Sequence, residues 1–251
     1  MVVRNQRDLE GLMRIGQICG LTLQHMLKHV EPGITTHELD RIGEEFLKKH
    51  NAASAPITAY NYPGWTCISI NDEAAHGIPG NRKVQPGDIV NVDVSAVLEG
   101  YWGDTGASII VPPVSPRLER LTEWTRKALN AGIAAAKEGD PVYEIGRAVH
   151  QVAREGGYTI IKELGGHGVG LNIHEGPTVH NFMNRRAKQK MVDGLVITIE
   201  PFLNLGKGKI YTEDDGWTLR TRDGSISCQY EHTVIINGND PILATKVEGS
   251  H

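Results

Sequence analysis

Apolar side chains recur at Leu9, Leu12, Ile15, Ile18 or Cys19, Leu23 and Met26 or Leu27. Those spacings of three and four predict an amphipathic helix over residues 7–30. Glu31-Pro32-Gly33 stops it, and Thr35 with Glu38 forms a capping box that opens a second helix over 36–50. The pattern then changes. TCISI (66–70), DIVNVDVSAV (88–97) and the segment 101–111 are rich in β-branched residues, as strands are. Helical spacing returns near 116–138 and 143–156, and LVITIEPFLN (195–204) and ISCQYEHTVII (226–236) again have strand character. This order predicts an α+β fold: two similar halves of about 120 residues, with helices packed over a shared antiparallel sheet. No long linker divides the chain, which is expected to form a single catalytic domain over 1–251, the closing EGSH set aside as a tag-like remnant.

Strand parity exposes an anomaly. In DIVNVDVSAV, Val90, Val92, Val94 and Ala96 share one face, and Asn91, Asp93 and Ser95 the other. A two- or four-residue loop centred on Glu99-Gly100 pairs Ser95 with Asp104, leaving Asp93 and Asp104 diagonal on one face. A three-residue loop or a bulge would change that register. Glu200 shares a face with Val196 and Thr198, and Glu231 with Gln229 and Thr233, each a lone acid among residues suited to burial. Solvent-facing acids are the plainer account of any one of them. Carboxylates converging beside apolar runs, however, need a cation or protons to offset their repulsion. GGHGVGLNIHEGP adds His167 between glycines, with His174 seven positions on, and His76 precedes the turn GIPG. The glycines allow close backbone approach or positive φ. Four carboxylates and an imidazole form an oxygen-rich set suited to a pair of divalent metals rather than a structural zinc, and hydrolysis of an amide or ester is the natural output.

Composition narrows the setting. The 251 residues are 39% hydrophobic and 22% charged, ordinary for a globular protein, and the net charge of −4 argues against a dedicated nucleic-acid binder. No apolar run approaches the roughly 20 residues that cross a bilayer, and the start lacks a signal peptide's apolar core. Three cysteines, Cys19, Cys67 and Cys228, in no CxxC spacing fit a reducing compartment, so a cytoplasmic protein is expected. Arg185, Arg186, Lys188 and Lys190, with Lys207, Lys209, Arg220 and Arg222, read most simply as solvated surface. A weak, salt-sensitive contact with ribosomal RNA is the alternative.

The aspartates at 93 and 104, GHGVG at 166–170, TIEP at 198–201 and QYEHT at 229–233 together resemble the type I methionine aminopeptidases of the pita-bread metallopeptidase superfamily, from the first helix to about residue 237. The resemblance implies a pseudo-two-fold antiparallel sheet covered by helices and two divalent ions (Co, Mn, Fe(II) or Zn). Asp93 and Glu231 would contact them, Asp104 and Glu231 would bridge, and His167 and Glu200 would complete the second metal's shell. It further implies Glu200 as proton shuttle, His174 at the scissile carbonyl and His76 at the peptide nitrogen beyond the cleaved bond. Tyr62, Cys67 and Trp217, with His76 at the edge, match the methionine pocket, and Ile173 stands where many bacterial members carry Phe. Implied substrates are nascent chains and peptides with a small second residue, acted on by a monomer without DNA or membrane partners. Glu200 follows His167 by 33 positions, too few for the helical insertion of type II enzymes. The large N-terminal domain usual in prolidases is expected to be absent. Two rivals are an Xaa-Pro hydrolase and a catalytically silent binding protein on the same fold.

Overall fold

The computed structural model describes residues 1–247, and the closing EGSH lies outside them. Helix α1 (Gln6–Leu27) starts where the Asn5 side chain accepts the Asp8 N–H and buries Leu12, Ile15, Ile18, Cys19, Leu23 and Met26. It ends three residues before the expected position. The His29 and Val30 N–H groups tighten onto Met26 and Leu27, and Pro32 bars further helix. The capping box forms as expected on α2 (Thr36–Lys49): Glu38 N–H donates to Thr35 Oγ1 (3.1 Å), and Thr35 N–H donates to Glu38 Oε2 (2.8 Å). A short α3 (Ala55–Tyr60) follows, then α4 (Pro116–Ala134) and α5 (Tyr143–Gly156). Helix α4 stops four residues short of its predicted end, where Ala136 N–H turns back to Ile133 and Glu138 N–H pairs with Gly238.

Strands Ile89–Leu98 and Tyr101–Ile110 form the central hairpin, and Cys67–Ile70 lies along its other edge. Val90, Val92, Val94 and Ala96 face α1 and α2 and are fully buried with Ile15, Cys19 and Leu39. In the second half, α4 and α5 pack Leu121, Ala128, Ile145 and Val149 against Ile197, Ile199 and Val234. Helices therefore cover the outer faces, and the polar faces of both strand sets are left for the interior cleft.

The antiparallel surface departs from the expected continuous sheet by dividing into four hydrogen-bonded sets. The strand predicted over 195–204 is two strands, Val196–Ile199 and Phe202–Asn204, in different sheets. The strand predicted over 226–236 splits likewise into Ser227–Gln229 and His232–Ile235. Glu200 and Glu231 occupy the breaks. Pro201 has no N–H to continue a ladder. The released groups find other partners: Glu231 N–H donates to Gly106 O (2.8 Å), Thr105 Oγ1 to Glu231 O (2.8 Å) and Asn181 Nδ2 to Glu200 O (2.9 Å).

Sequence pattern did not anticipate strands Gly165–Gly168 and Glu175–His180, because glycine has low strand preference. Proximity requires it there: a Cβ on Gly166 would lie 2.1 Å from Thr198 O, and one on Gly168 2.3 Å from Gly176 O. All three cysteines are buried and unpaired, consistent with the absence of a disulfide scaffold. Among the described residues, no helix is long and apolar enough to cross a membrane.

Ile145 is fully buried beneath α5. Truncating it in Ile145→Ala is expected to cost about 2–5 kcal/mol. Urea unfolding would show this as a lower midpoint with an unchanged slope.

Candidate metal centre

The hairpin turn fixes the first two acids. Glu99 and Gly100 adopt φ of 52° and 85°, the two positive values a type I′ turn requires. The resulting register pairs Ser95 with Asp104 and places Asp93 opposite Gly106, the diagonal arrangement expected from parity. Thr233 ties this hairpin to the second half: Asp104 N–H donates to Thr233 Oγ1 (3.1 Å), and that hydroxyl donates to Asp104 O (2.7 Å). The strand breaks then turn Glu200 and Glu231 toward the same volume. Each acid is oriented by the side chain two positions before it, on the same face: Thr198 Oγ1 donates to Glu200 Oε1 (3.0 Å), and Gln229 Nε2 donates to Glu231 Oε2 (2.9 Å).

Asp104, His167 and Glu231 each offer one ligand atom, and these atoms all lie within 4.8 Å of one another. His167 Nε2 is 3.6 Å from Asp104 Oδ2 and 3.5 Å from Glu200 Oε1. Asp93 lies beside Asp104 on the same face of the hairpin, diagonal across the ladder. His167 Nδ1 lies 3.0 Å from Gly168 O, an arrangement that puts the ring's hydrogen on Nδ1 and turns the Nε2 lone pair toward the acids.

Electrostatics oppose this crowding. Burial, and after it the neighbouring carboxylates, hold Asp104, Glu200 and Glu231 well above the usual carboxylate range. Burial also pushes Asp93 up to about 6. Burial, then His174, pulls His167 down to about 3, so its ring is neutral and not an ion-pair partner. Asp104 Oδ1 and Glu231 Oε1 are buried without a hydrogen-bond partner among the described residues. Unpaired buried carboxylate oxygens, a neutral imidazole with its lone pair inward and mutually repelling acids fit divalent cations in this space.

The five side chains line one cavity of about 640 Å³ together with His76, His174, Tyr62, Cys67, Trp217 and Ile173, so every site residue singled out from the sequence reaches the same cleft. His76 holds φ of 56°, in the left-handed region, and its ring is open to the cleft's solvent though surrounded by protein. Desolvation, then His174, lowers its pKa. Desolvation does the same for His174. Tyr62 donates its hydroxyl to Gly77 O (2.7 Å) and meets Trp217 edge-on at 5.2 Å between centroids. Asp215 accepts the N–H groups of Trp217 (2.7 Å) and Thr218 (2.8 Å), which sets the tryptophan loop. Burial, then Asp93, raises the Cys67 thiol well above its ordinary range, so it stays neutral. These groups and the buried Ile173 and Phe202 form an apolar wall beside the acids.

Sequence reasoning missed Phe202, Tyr60 and Glu175 on the cavity and gave Thr198 and Gln229 no task. Parity could have flagged those last two, each two positions before an acid. No local signal marks Tyr60, whose hydroxyl meets His174 Nδ1 across 114 positions of sequence, nor Glu175, which accepts the Leu171 and Asn172 N–H groups (2.7 Å each) and the Met1 ammonium. The basic surface is also revised. Arg220 pairs with Glu73 (3.1 Å) and Glu213 (3.2 Å), and Lys209 with Glu163 (3.3 Å), whereas Arg185, Arg186, Lys188 and Lys190 are exposed and make no ion pair among the described residues.

Raised acids make the metal-free fold pH-sensitive in a definite direction. For Asp93 the contribution is fully present below the ordinary aspartate value of 3.8 and lost as pH rises through about 6, and the other three acids act in the same sense. A bound cation reverses that sign by stabilising the ionised forms. The melting-temperature gap between Mn²⁺-supplemented and EDTA-treated protein is therefore expected to widen from pH 5 to pH 8; a constant gap would count against a cation at these acids.

Residues 10–238 match the family model described as Metallopeptidase family M24. The chain is 42% identical over 249 residues to "Methionine aminopeptidase 2" of Bacillus subtilis (strain 168), covering 98% of this chain and 100% of that protein. Its structure superposes on methionine aminopeptidase from Rickettsia prowazekii with a TM-score of 0.94 at 32% identity, covering 98% of this chain and 100% of the other. Prolidase from Pyrococcus furiosus shares the fold at a TM-score of 0.79 and 23% identity, but this chain spans only 66% of it. Helices outside and antiparallel strands inside form the pita-bread fold shared with these proteins, and the chain belongs to metallopeptidase family M24.

Proposed function

We propose that this chain is a type I methionine aminopeptidase: a metal-dependent hydrolase that removes the N-terminal methionine of proteins and peptides whose second residue is small. One observation carries this: the acids and His167 share a single cavity with two further histidines and an apolar wall containing an aromatic pair and a thiol. Whole-length similarity to curated methionine aminopeptidases supports the substrate. The type I assignment is supported by the stretch between His167 and Glu200, which holds two strands and loops but no helix.

Asp93, Asp104, His167, Glu200 and Glu231 would hold two divalent ions, drawn from Co, Mn, Fe(II) or Zn. When bound, the ions supply Lewis acidity toward the scissile carbonyl and acidify a water. Glu200 would serve as general base and then acid, taking a proton from the attacking water and returning it to the leaving amine, with Thr198 fixing the carboxylate's orientation. His174 donates to the carbonyl oxygen as negative charge develops there. His76, its backbone held by the Tyr62 hydroxyl, faces the nitrogen side of the cleaved bond. Tyr62, Cys67, Trp217 and Ile173 enclose the thioether, for which a neutral sulfur and aromatic edges are suitable neighbours. The setting is a monomeric, single-domain cytoplasmic enzyme meeting emerging chains, and the unpaired Arg185, Arg186, Lys188 and Lys190 supply a weak RNA-facing patch near them.

Methionine is expected to be released from Met-Ala-Ser and no residue from Ala-Pro peptides; cleavage of only the latter would reassign the chain to Xaa-Pro hydrolysis. Glu200→Gln is expected to fold normally and lower kcat about 10²–10⁴-fold. Reversing the four basic charges at 185, 186, 188 and 190 is expected to weaken ribosome co-sedimentation at low salt without changing tripeptide hydrolysis. Unchanged co-sedimentation would remove the RNA contact.

A further inference from the structure

Tyr60 is the last residue of α3, a helix that belongs to the same half of the molecule as Asp93. Its backbone is fixed. Asn61 leaves the helix in the left-handed region (φ 56°) with its N–H on Ile57 O, and Ser54 Oγ caps the Ile57 N–H while donating to Trp65 O. From there the phenol reaches into the other half, where its oxygen lies 2.6 Å from Nδ1 of His174. The rings lean together at 5.6 Å between centroids.

The backbone on either side of His174 is also held, since Glu175 accepts two N–H groups from the loop. The imidazole itself is exposed and touches the edge of His167 at 4.2 Å between centroids, and its one hydrogen bond among the described residues is to Tyr60. A neutral imidazole has one donor and one acceptor, and the partner of one nitrogen decides which role the other takes. If Nδ1 carried the hydrogen, Nε2 would present a lone pair to a carbonyl oxygen and repel it.

Resting on the aminopeptidase assignment above, we propose that Tyr60 is a positioning residue for the reaction: its O–H donates to His174 Nδ1, holds the ring in the tautomer with hydrogen on Nε2, and so keeps a donor aimed into the cleft for the scissile carbonyl oxygen. The same bond joins the two walls of the cavity at its mouth. Tyr60 thus acts through His174 and not on the substrate, and its effect belongs to kcat.

The test combines spectroscopy and kinetics on Zn²⁺-loaded, full-length protein. In ¹⁵N-histidine spectra, with His174 assigned by its loss in His174→Ala, wild type is expected to show a bare Nδ1 and a protonated Nε2, and Tyr60→Phe a mixture of tautomers. Tyr60→Phe is expected to lower kcat for Met-Ala-Ser about fivefold to tenfold with KM and metal content unchanged. In a His174→Ala background the same substitution should add nothing. A protonated Nδ1 in wild type, an unchanged kcat, an effect confined to KM, or a loss that persists without His174 would each overturn the proposal. If wild type releases no methionine, the assignment of function fails, while the nitrogen shifts still decide what Tyr60 does.

Discussion

Four carboxyl groups and one imidazole share a buried space in which ionisation of each acid is opposed by desolvation and by its neighbours. Protonation relieves part of that conflict, since burial favours the neutral acids, but two carboxylate oxygens have no hydrogen-bond partner among the described residues. Divalent cations bound among the ionised acids would offset that repulsion, and the donor set suits them. The remainder of the structure holds these groups together against their repulsion.

That restraint comes from the backbone. Asp93 and Asp104 are locked by a two-residue turn and a long antiparallel ladder, and Thr233 clamps the ladder to the second half through both backbone groups of Asp104. Glu200 and Glu231 need the opposite treatment. Their strands must leave one sheet and join another at the acid, and Gly106, Thr105 and Asn181 take up the hydrogen bonds released there. Gly106 could not carry a side chain, because its Cβ would sit 2.5 Å from the Gln229 amide that orients Glu231. Helices on the outer faces provide the burial that keeps this frame rigid.

Chemical roles divide along the same seam. Acids and His167 crowd the floor of the cavity, and the apolar wall of Tyr62, Cys67, Trp217 and Ile173 stands beside them. His76 and His174, both held neutral by desolvation, approach from separate loops, and Tyr60 links one half to the other at the mouth. On the proposed assignment, substrate selection and bond cleavage would fall on different surfaces of one cleft.

The sequence by itself determined the four long helices, the central hairpin and the identity of the acids, and it offered the observed register as one that the turn had still to select. Each of these follows from short-range pattern: apolar spacing of three and four in α1, β-branched alternation in 89–98, and a turn signal at Glu99-Gly100. Tertiary structure decided the rest. The glycine strand at 165–168 exists because Thr198 and Gly176 pass too close for a Cβ, which its own composition does not reveal. The breaks at Glu200 and Glu231 depend on which sheet each flanking segment joins. The Tyr60–His174 bond and the Arg220–Glu73 ion pair join groups more than a hundred positions apart. Period and turn chemistry are written within a few residues, whereas contact across a cleft depends on how two independently patterned halves pack.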